Sequence, residues 1–464
     1  MSQNGGMHFE ISERKILLRI LDVVVIIGAL YLVGQFFRFD YFYIDANYYT
    51  WPLILGLYIL FTGAIFELYD LQRASRTTAM LQNVTLATIT TVLLYLLTPI
   101  LTPPLPDARF QILLFGLTVW FSWMLWRQLY IKLFSAKRFN KRILLIADAI
   151  DVPNIIEEFA IADPNIQIVG YLNTDQNIPV GASKLDAPEF DVPQSLKAIC
   201  DRKISEIVIA TQNTEGITPD TYSGLIDGLE AGIMIREYAQ VYEELTARIP
   251  VQFIGRDFYK FFPFARSNSN RLYLFLHRIL DVLLAVLGLC IGLVLSPLVL
   301  IGNLFGNRGP LFYKQVRVGR GGKPFTIFKL RSMVINAEAA GAQWATKGDA
   351  RITKFGSFLR RTRLDEVPQF INVLRGEMSI IGPRPERPEF VAELAEAIPF
   401  YETRHVVKPG VTGWAQVKTS YGSSYADSLR KLQYDLYYIK HRSIFLDMRI
   451  VVKTISTVIF LRGQ

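Results

Sequence analysis

Residues 282–301 read VLLAVLGLCIGLVLSPLVLI, an apolar run of 20 residues interrupted only by Ser296-Pro297. How this run meets a bilayer decides the fold of everything that follows it. Its length is that of a membrane-crossing helix. Two features point elsewhere. Proline removes a helix hydrogen bond and bends the axis, and both flanks are basic: Arg271, His277 and Arg278 before, Arg308, Lys314, Arg317 and Arg320 after. A crossing helix would leave one basic flank outside. A re-entrant helix over 278–305 that breaks at Ser296-Pro297 keeps both inside, and Ser296 can satisfy a carbonyl freed at the break.

Upstream, four apolar segments near 16–37, 50–67, 79–101 and 110–127 have spanning length and are joined by short loops. Arg14, Lys15 and Arg19 precede the first. Arg73 and Arg76 separate the second from the third. Arg127, Lys132, Lys137, Arg138, Lys141 and Arg142 follow the fourth, whereas the other two loops hold only Arg38 and Arg109 among aromatics and prolines. The positive-inside bias therefore sets both ends of a four-helix unit on the cytoplasmic side. The first run is long and lacks a small-residue cleavage site, so no cleavable signal peptide is expected.

Residues 141–262 change character. Short apolar runs at 142–147, 166–172 and 207–211 alternate with amphipathic stretches at 152–161 and 219–229, which predicts βαβ units and a parallel sheet. A dinucleotide site would need a Gly-rich turn after the first strand. The turn here is Ala147-Asp148-Ala149-Ile150-Asp151, with no glycine and two carboxylates. A Rossmann-like domain without nucleotide binding, serving regulation or assembly, is the expectation.

At 464 residues the chain holds two or three domains. It is 51% hydrophobic with a mean hydropathy of +0.26, yet 20% charged, so membrane and aqueous parts must be segregated. Cys200 and Cys290 offer neither a disulfide framework nor zinc spacing. The net charge of +9 is unevenly spread: residues 1–270 hold 22 Lys+Arg against 27 Asp+Glu, and residues 271–464 hold 28 against 14. An anionic partner, whether nucleic acid, lipid headgroups or a phosphorylated substrate, belongs to the basic half.

That half carries four dense motifs. They are Gly309-Pro310-Leu311-Phe312-Tyr313-Lys314-Gln315-Val316-Arg317-Val318-Gly319-Arg320 with Phe328-Lys329-Leu330-Arg331-Ser332-Met333; Arg360-Arg361-Thr362-Arg363-Leu364-Asp365-Glu366-Val367-Pro368-Gln369; Ile381-Gly382-Pro383-Arg384-Pro385; and Lys408-Pro409-Gly410-Val411-Thr412-Gly413-Trp414-Ala415-Gln416. Pro368 suits the first turn of a helix running to about Arg375 and stopping at Gly376. Asp365 and Glu366 then lie at its N-terminus, where free N–H groups favour an anion. Arg360, Arg361 and Arg363 crowd the same turn and should keep Asp365 ionised. A capping aspartate is the plain alternative for Asp365. Trp414 suits either a stacked base or the core, with the core preferred, and His405 and His441 show no partner at ligand spacing. The stretch Leu429–Phe460 reads as amphipathic helices on an anionic membrane surface.

Together the motifs strongly resemble the bacterial sugar transferase family, the large monotopic phosphoglycosyl transferases that initiate exopolysaccharide and O-antigen synthesis. The resemblance covers the whole chain. It implies an α-helical region with four transmembrane helices (1–140), an α/β Rossmann-like middle domain (141–262) and a mainly α monotopic catalytic domain (271–464) on the re-entrant helix. It implies transfer of a hexose-1-phosphate, with glucose as the hexose, from a UDP-sugar to polyprenyl (undecaprenyl) phosphate, with Mg²⁺ and release of UMP. The partners would be UDP-sugar, polyprenyl phosphate and membrane lipids, not nucleic acid, and a homodimer is compatible. The place would be the bacterial inner membrane, multi-pass, with catalysis on the cytoplasmic face. Asp365 becomes the nucleophile, forming an acyl-phosphate that splits one transfer into two steps. Glu366 becomes either a Mg²⁺ ligand together with Asp365 or a positioning group. Arg384, stiffened between two prolines, suits a bidentate phosphate grip, and Arg360, Arg361, Lys329 and Arg331 are further phosphate-binding candidates, with fold stabilisation or lipid-headgroup contact as the alternative for Lys329 and Arg331. Residues 1–262 are expected to be dispensable for chemistry, so that a chain begun near Phe264 stays active. The rivals are a polytopic transferase, disfavoured by short loops nearly free of paired acids, and a membrane-anchored regulatory or assembly protein, which leaves the Asp-Glu and Gly-Pro-Arg-Pro motifs without a purpose.

Overall fold

The computed structural model describes residues 11–37, 41–42, 48–66, 68–69, 77–134, 141–163, 166–175, 188–191, 204–211, 217–230, 232–251, 270–337, 341, 343–344, 349–419, 422 and 424–459. Arg38, Arg73, Arg76, Lys137, Arg138, Cys200 and Phe264 lie outside these residues. The chain is helical, with several apolar helices and small sheets, and divides into two compact units at Arg236/Glu237.

The first unit opens with α1 (Ile11–Phe36), α2 (Thr50–Ile65), α3 (Thr77–Leu96) and α4 (Arg109–Phe134). Of these, α1 and α4 are long and apolar enough to cross a membrane. At 16 residues α2 reaches about 24 Å, short of the ~30 Å hydrocarbon layer. Polar side chains tie the helices together. Arg127 on α4 bonds Asp22 on α1 at 2.6 Å and the Leu68 carbonyl at 2.7 Å, and Thr62 meets Thr91 at 2.7 Å. Leu and Ile side chains such as Ile20, Leu57, Ile89 and Leu117 face outward.

Strand β1 (Lys141–Ala147), helix α5 (Val152–Ala162), β2 (Ile166–Asn173), β3 (Glu206–Ile209), α6 (Pro219–Glu230) and β4 (Met234–Glu237) follow. The sheet order is β2-β1-β3-β4, with β1 parallel to both neighbours, as the alternating sequence pattern implies. At the carboxyl end of β1 the Asp148 carboxylate accepts from Thr174 at 2.6 Å and Thr211 at 3.2 Å. A carboxylate thus fills the place where a phosphate-binding turn would need bare backbone.

The second unit begins with α7 (Tyr238–Thr246), ahead of the boundary that the sequence pattern draws at 262. The residues after α7 enter this unit's core: Ile249 and Val251 cluster with Val373, Met378, Trp414 and Leu432. The Trp414 indole donates to the Ala247 carbonyl at 3.1 Å, and Trp414 is fully buried, a core residue as expected. Glu243 pairs with Lys440 at 2.7 Å and with His441.

Helix α8 (Arg271–Gly302) is capped by Asn270, which accepts from the Tyr273 amide at 3.2 Å. Where the sequence leads one to expect a break at Ser296-Pro297, α8 stays helical through both residues and then widens into a π-turn at Asn303–Asn307. Pro297 has no N–H for the Leu293 carbonyl four residues back, and Ser296 Oγ donates to that carbonyl at 2.7 Å. Both ends of α8 are tied within this one unit. Arg278 donates to the carbonyls of Val373 (2.7 Å) and Leu374 (2.9 Å), and Asn303 and Asn307 donate to those of Gly309 (3.0 Å) and Arg331 (2.6 Å). Leu283, Leu287, Leu293, Val294 and Ile301 stay exposed.

Next come the antiparallel hairpin β5 (Phe312–Val318) and β6 (Pro324–Leu330), α9 (Lys354–Arg361), α10 (Gln369–Arg375), β7 (Ser379–Ile381), α11 (Pro388–Ala397), β8 (Gly410–Thr412) parallel to β7, α12 (Trp414–Lys418), α13 (Tyr425–His441) and α14 (Ile444–Ile459). The two final helices differ from one another. Leu432, Leu436 and Ile439 bury α13 in the core, whereas α14 exposes Ile444, Phe445 and Met448.

Because residues 247–251 seal the core around Trp414, a chain begun at Phe264 should be less stable than one begun at Glu237. Losing buried Ile249 and Val251 alone removes about 3 kcal/mol. Thermal unfolding of the two truncations in the same detergent should separate them by several degrees, and coincident midpoints would exclude a role for this segment.

Candidate active site

Thr353 caps α9, accepting from the Gly356 amide at 2.8 Å. The helix ends at Arg361, and Arg363 takes a left-handed conformation (φ 60) that throws the chain into a 3₁₀ turn, Leu364–Glu366. That conformation costs a non-glycine residue on the order of 1 kcal/mol. Pro368 then caps α10, which stops at Gly376 (φ 81), as the sequence predicts. The carboxylates differ from expectation. They sit on the separate 3₁₀ turn, both buried, and Glu366 is anchored by side-chain cations rather than by the amides of a helix end.

Glu366 is the tied member of the pair. Its Oε1 accepts from Arg384 at 2.8 Å and from Lys329 at 3.3 Å, and its Oε2 lies 3.7 Å from Arg363. Burial alone would raise its pKa, but Arg384, Lys329 and Arg363 outweigh it and hold the carboxyl well below the ordinary range. Burial also pushes Lys329 down from its usual value, against the pull of Glu366.

Asp365 is the untied member. Its Oδ1 is buried and has no hydrogen-bond partner among the described residues. Burial, with the neighbouring Glu366 charge, pushes its pKa up to about 6, against Lys329, Arg360 and Arg363. The arginine cluster therefore does less for this carboxyl than its sequence position implies, although the pKa still lies below neutral.

Arg384 is fixed through its backbone. The carbonyls of Pro383, Arg384, Pro385 and Glu386 accept in turn from the Gly410 amide (2.9 Å), Arg404 (3.0 Å), Arg317 (3.1 Å) and the Val318 amide (2.9 Å). Arg404 is itself buried against Asp435 at 2.8 Å and Tyr401 at 2.8 Å. Sequence reading quoted Arg317 without giving it a role and passed over Arg404. The partner that would have flagged Arg404, Asp435, lies a helix away and leaves no local signal.

These groups open onto a cavity of about 340 Å³, whose lining holds ten basic side chains against four acidic ones. Asp365, Glu366, Lys329, Arg331, Arg360 and Arg384 all line it. Arg331 spends its guanidinium on the carbonyls of Pro310 (2.7 Å), Met333 (3.1 Å) and Asn307 (2.9 Å), which ties β6 to the end of α8. Arg360 bonds Ser332 at 2.9 Å. Arg361 is exposed and does not line the cavity.

Among the described residues no group of three or more acidic, His or Cys side chains stands ready to hold a metal. Magnesium asks for less: one or two carboxylates completed by phosphate oxygens. The orphaned Asp365 oxygen beside Glu366 meets that requirement, so the residues fit the ion.

The fold and site define a membrane-associated helical protein whose second unit builds a cationic cavity around adjacent buried carboxylates. A family model described as bacterial sugar transferase matches residues 272–461. The chain is 41% identical over 231 residues to the UDP-N-acetylgalactosamine-undecaprenyl-phosphate N-acetylgalactosaminephosphotransferase of Aeromonas hydrophila, covering 49% of this chain and 53% of that one. It is 46% identical over 180 residues to a UDP-glucose:undecaprenyl-phosphate glucose-1-phosphate transferase of Xanthomonas campestris pv. campestris, covering 38% and 37%. A Caulobacter vibrioides protein of the same name is 36% identical over 187 residues, 39% of this chain and 69% of that one. The chain belongs to the bacterial sugar transferase family. It spans about half the length, or less, of the first two relatives.

Glu366→Gln leaves Arg384, Lys329 and Arg363 without their shared anion. Stability should fall by about 3 kcal/mol, the usual cost of breaking a buried pair, while Arg361→Ala at the exposed position should stay within about 0.5 kcal/mol of the parent. Denaturant titration of both variants checks the contrast.

Proposed function

We propose that this protein transfers a hexose-1-phosphate from a UDP-sugar to undecaprenyl (polyprenyl) phosphate. The observation that carries the reading is the division between two adjacent buried carboxylates. Glu366 is held by three cations and cannot easily move, whereas Asp365 Oδ1 is unpartnered at the cavity wall.

In the first step an Asp365 carboxylate oxygen bonds to the phosphorus that carries the sugar, and the bond from that phosphorus to UMP breaks. UMP leaves with the electron pair, and an aspartyl phospho-sugar remains. In the second step a phosphate oxygen of the polyprenyl phosphate attacks the same phosphorus and expels the Asp365 carboxylate, giving a polyprenyl diphosphate sugar. Splitting the transfer lets one site serve two bulky anions in turn. Arg384 and Lys329 bind phosphate oxygens as charge moves onto them. Magnesium, held by Glu366 and Asp365, would neutralise diphosphate charge.

Glucose is the hexose proposed, after the names of the Xanthomonas and Caulobacter relatives; N-acetylgalactosamine, after the Aeromonas one, is the competing outcome. We further propose four transmembrane helices at α1–α4, with the bilayer thinned around the short α2, a Rossmann-like domain around β1–β4 and a re-entrant α8 whose two anchored ends share one face. Catalysis then lies at the cytoplasmic face of the bacterial inner membrane. The binding of both α8 ends to one unit supports this placement, since a crossing helix would have to bring that unit's side chains through the bilayer.

With UDP-[β-³²P]glucose and no acceptor, the purified protein should acquire label and release UMP, and Asp365→Asn should do neither. If Asp365→Asn keeps a tenth of the parent turnover, a loss of only about 1.4 kcal/mol, Asp365 is not the nucleophile. A panel of UDP-sugars in the same assay identifies the hexose. Cysteines placed at Arg278 and Lys314 should both be labelled from the cytoplasmic side, and labelling of the Lys314 position from outside alone would establish a crossing helix instead.

A further inference from the structure

One face of α8 carries Arg278, Asp281, Ala285, Gly288 and Gly292, spaced alternately three and four residues apart, the spacing of a single helical stripe. The whole stripe is engaged by the site-bearing elements. Arg278 holds the last carbonyls of α10, those of Val373 and Leu374. Asp281 accepts from the Ser379 hydroxyl at 2.9 Å and the Ile380 amide at 2.8 Å, which fixes β7 just ahead of the Arg384 turn. Ala285 is fully buried in the core. A methyl group on Gly288 would overlap the Phe370 ring, and one on Gly292 would overlap Val367 Cγ1. Val367 is the second residue after Asp365, and its amide bonds the Leu364 carbonyl of the turn itself at 3.2 Å.

We propose that α8 is the template that registers the two halves of the active site against each other, with Gly292 and Asp281 as its positioning residues. Gly292 sets the depth of the Asp365-Glu366 turn through Val367. Asp281 sets the Arg384 turn through β7. Neither lines the cavity; each acts through a neighbour, and the distance between nucleophile and phosphate-binding arginine is inherited from the stretch of one helix between Asp281 and Gly292. Both glycines occur in the i, i+4 spacing of a transmembrane pairing motif, and here that groove is occupied from within the same unit. This inference rests on the assignment of Asp365 and Arg384 to the reaction.

The test uses the full chain in nanodiscs. Gly292→Ala should lower kcat for UMP release at least tenfold while KM for the UDP-sugar stays within twofold, because the cavity is intact and only the turn is displaced. Val367→Ala removes the atom that a new methyl group would strike, so Gly292→Ala/Val367→Ala should recover to within threefold of Val367→Ala alone. Val294→Leu, on the exposed face of the same helix, should match the parent. If Gly292→Ala fails to fold, the double variant carries the test: folded and active supports the template, folded and inactive overturns it. A folded Gly292→Ala with parental kcat, or a loss that Val367→Ala does not relieve, overturns it as well. Asp365→Asn run alongside separates the two readings. Should Asp365→Asn remain active, the catalytic assignment fails; should it be dead while Gly292→Ala is unimpaired, only the template fails.

Discussion

The second unit is arranged around one buried negative charge. The Glu366 carboxylate gathers Arg384, Lys329 and Arg363 from three separate places in the chain. Without an anion between them, these cations would repel one another in a setting that screens charge poorly. With it they form a stable cationic wall, and the neighbouring Asp365 is relieved of any structural duty. The 3₁₀ turn makes the division possible, because it buries both carboxylates while giving them different surroundings.

The wall is held by backbone as much as by charge. Four successive carbonyls of the Pro383–Glu386 turn are each taken by a separate donor, so Arg384 has little freedom beyond its own side-chain rotamers. Arg317 and Arg404 provide two of those donors, and their guanidinium groups reach a carbonyl while also meeting an acid. An arginine used in this way is a strut, and the acid that it meets offsets the cost of burying its charge.

Much of this was legible in the sequence. Pro368 and Gly376 bracket α10 because ring geometry and left-handed backbone act locally, and local rules can be read without a fold. Ser296 takes the carbonyl that Pro297 leaves free for the same reason. The alternation of short apolar runs with amphipathic stretches foretold parallel strands, and Asp148 kept its place at the end of β1. What escaped was everything set by long-range packing. The raised pKa of Asp365 follows from burial, which no motif displays. The roles of Arg317 and Arg404 depend on partners 68 and 31 residues away. Arg361 and Arg360 are neighbours in sequence, and only the turn of a helix sends one to the cavity and the other to the surface. The packing of Ile249 and Val251 into the core around Trp414 has no local signal either, because the two resemble any other aliphatic pair in the sequence.

The short segment from Tyr238 to Val251 has a consequence for how such chains are assembled from parts. Positions 252–269 look like a natural seam, since they precede the apolar run and follow the last strand of the middle sheet. The described residues just before them, Tyr238–Val251, already belong to the second unit. A shorter protein built on the same core, with nothing corresponding to α7, must therefore cover the Trp414 face by some other means, with a bulkier neighbour, a lipid or a second subunit. Fusion and loss of upstream domains in this architecture are then not free exchanges at a linker: each one obliges the core to find a new lid for the indole that α7 and the residues after it help to bury.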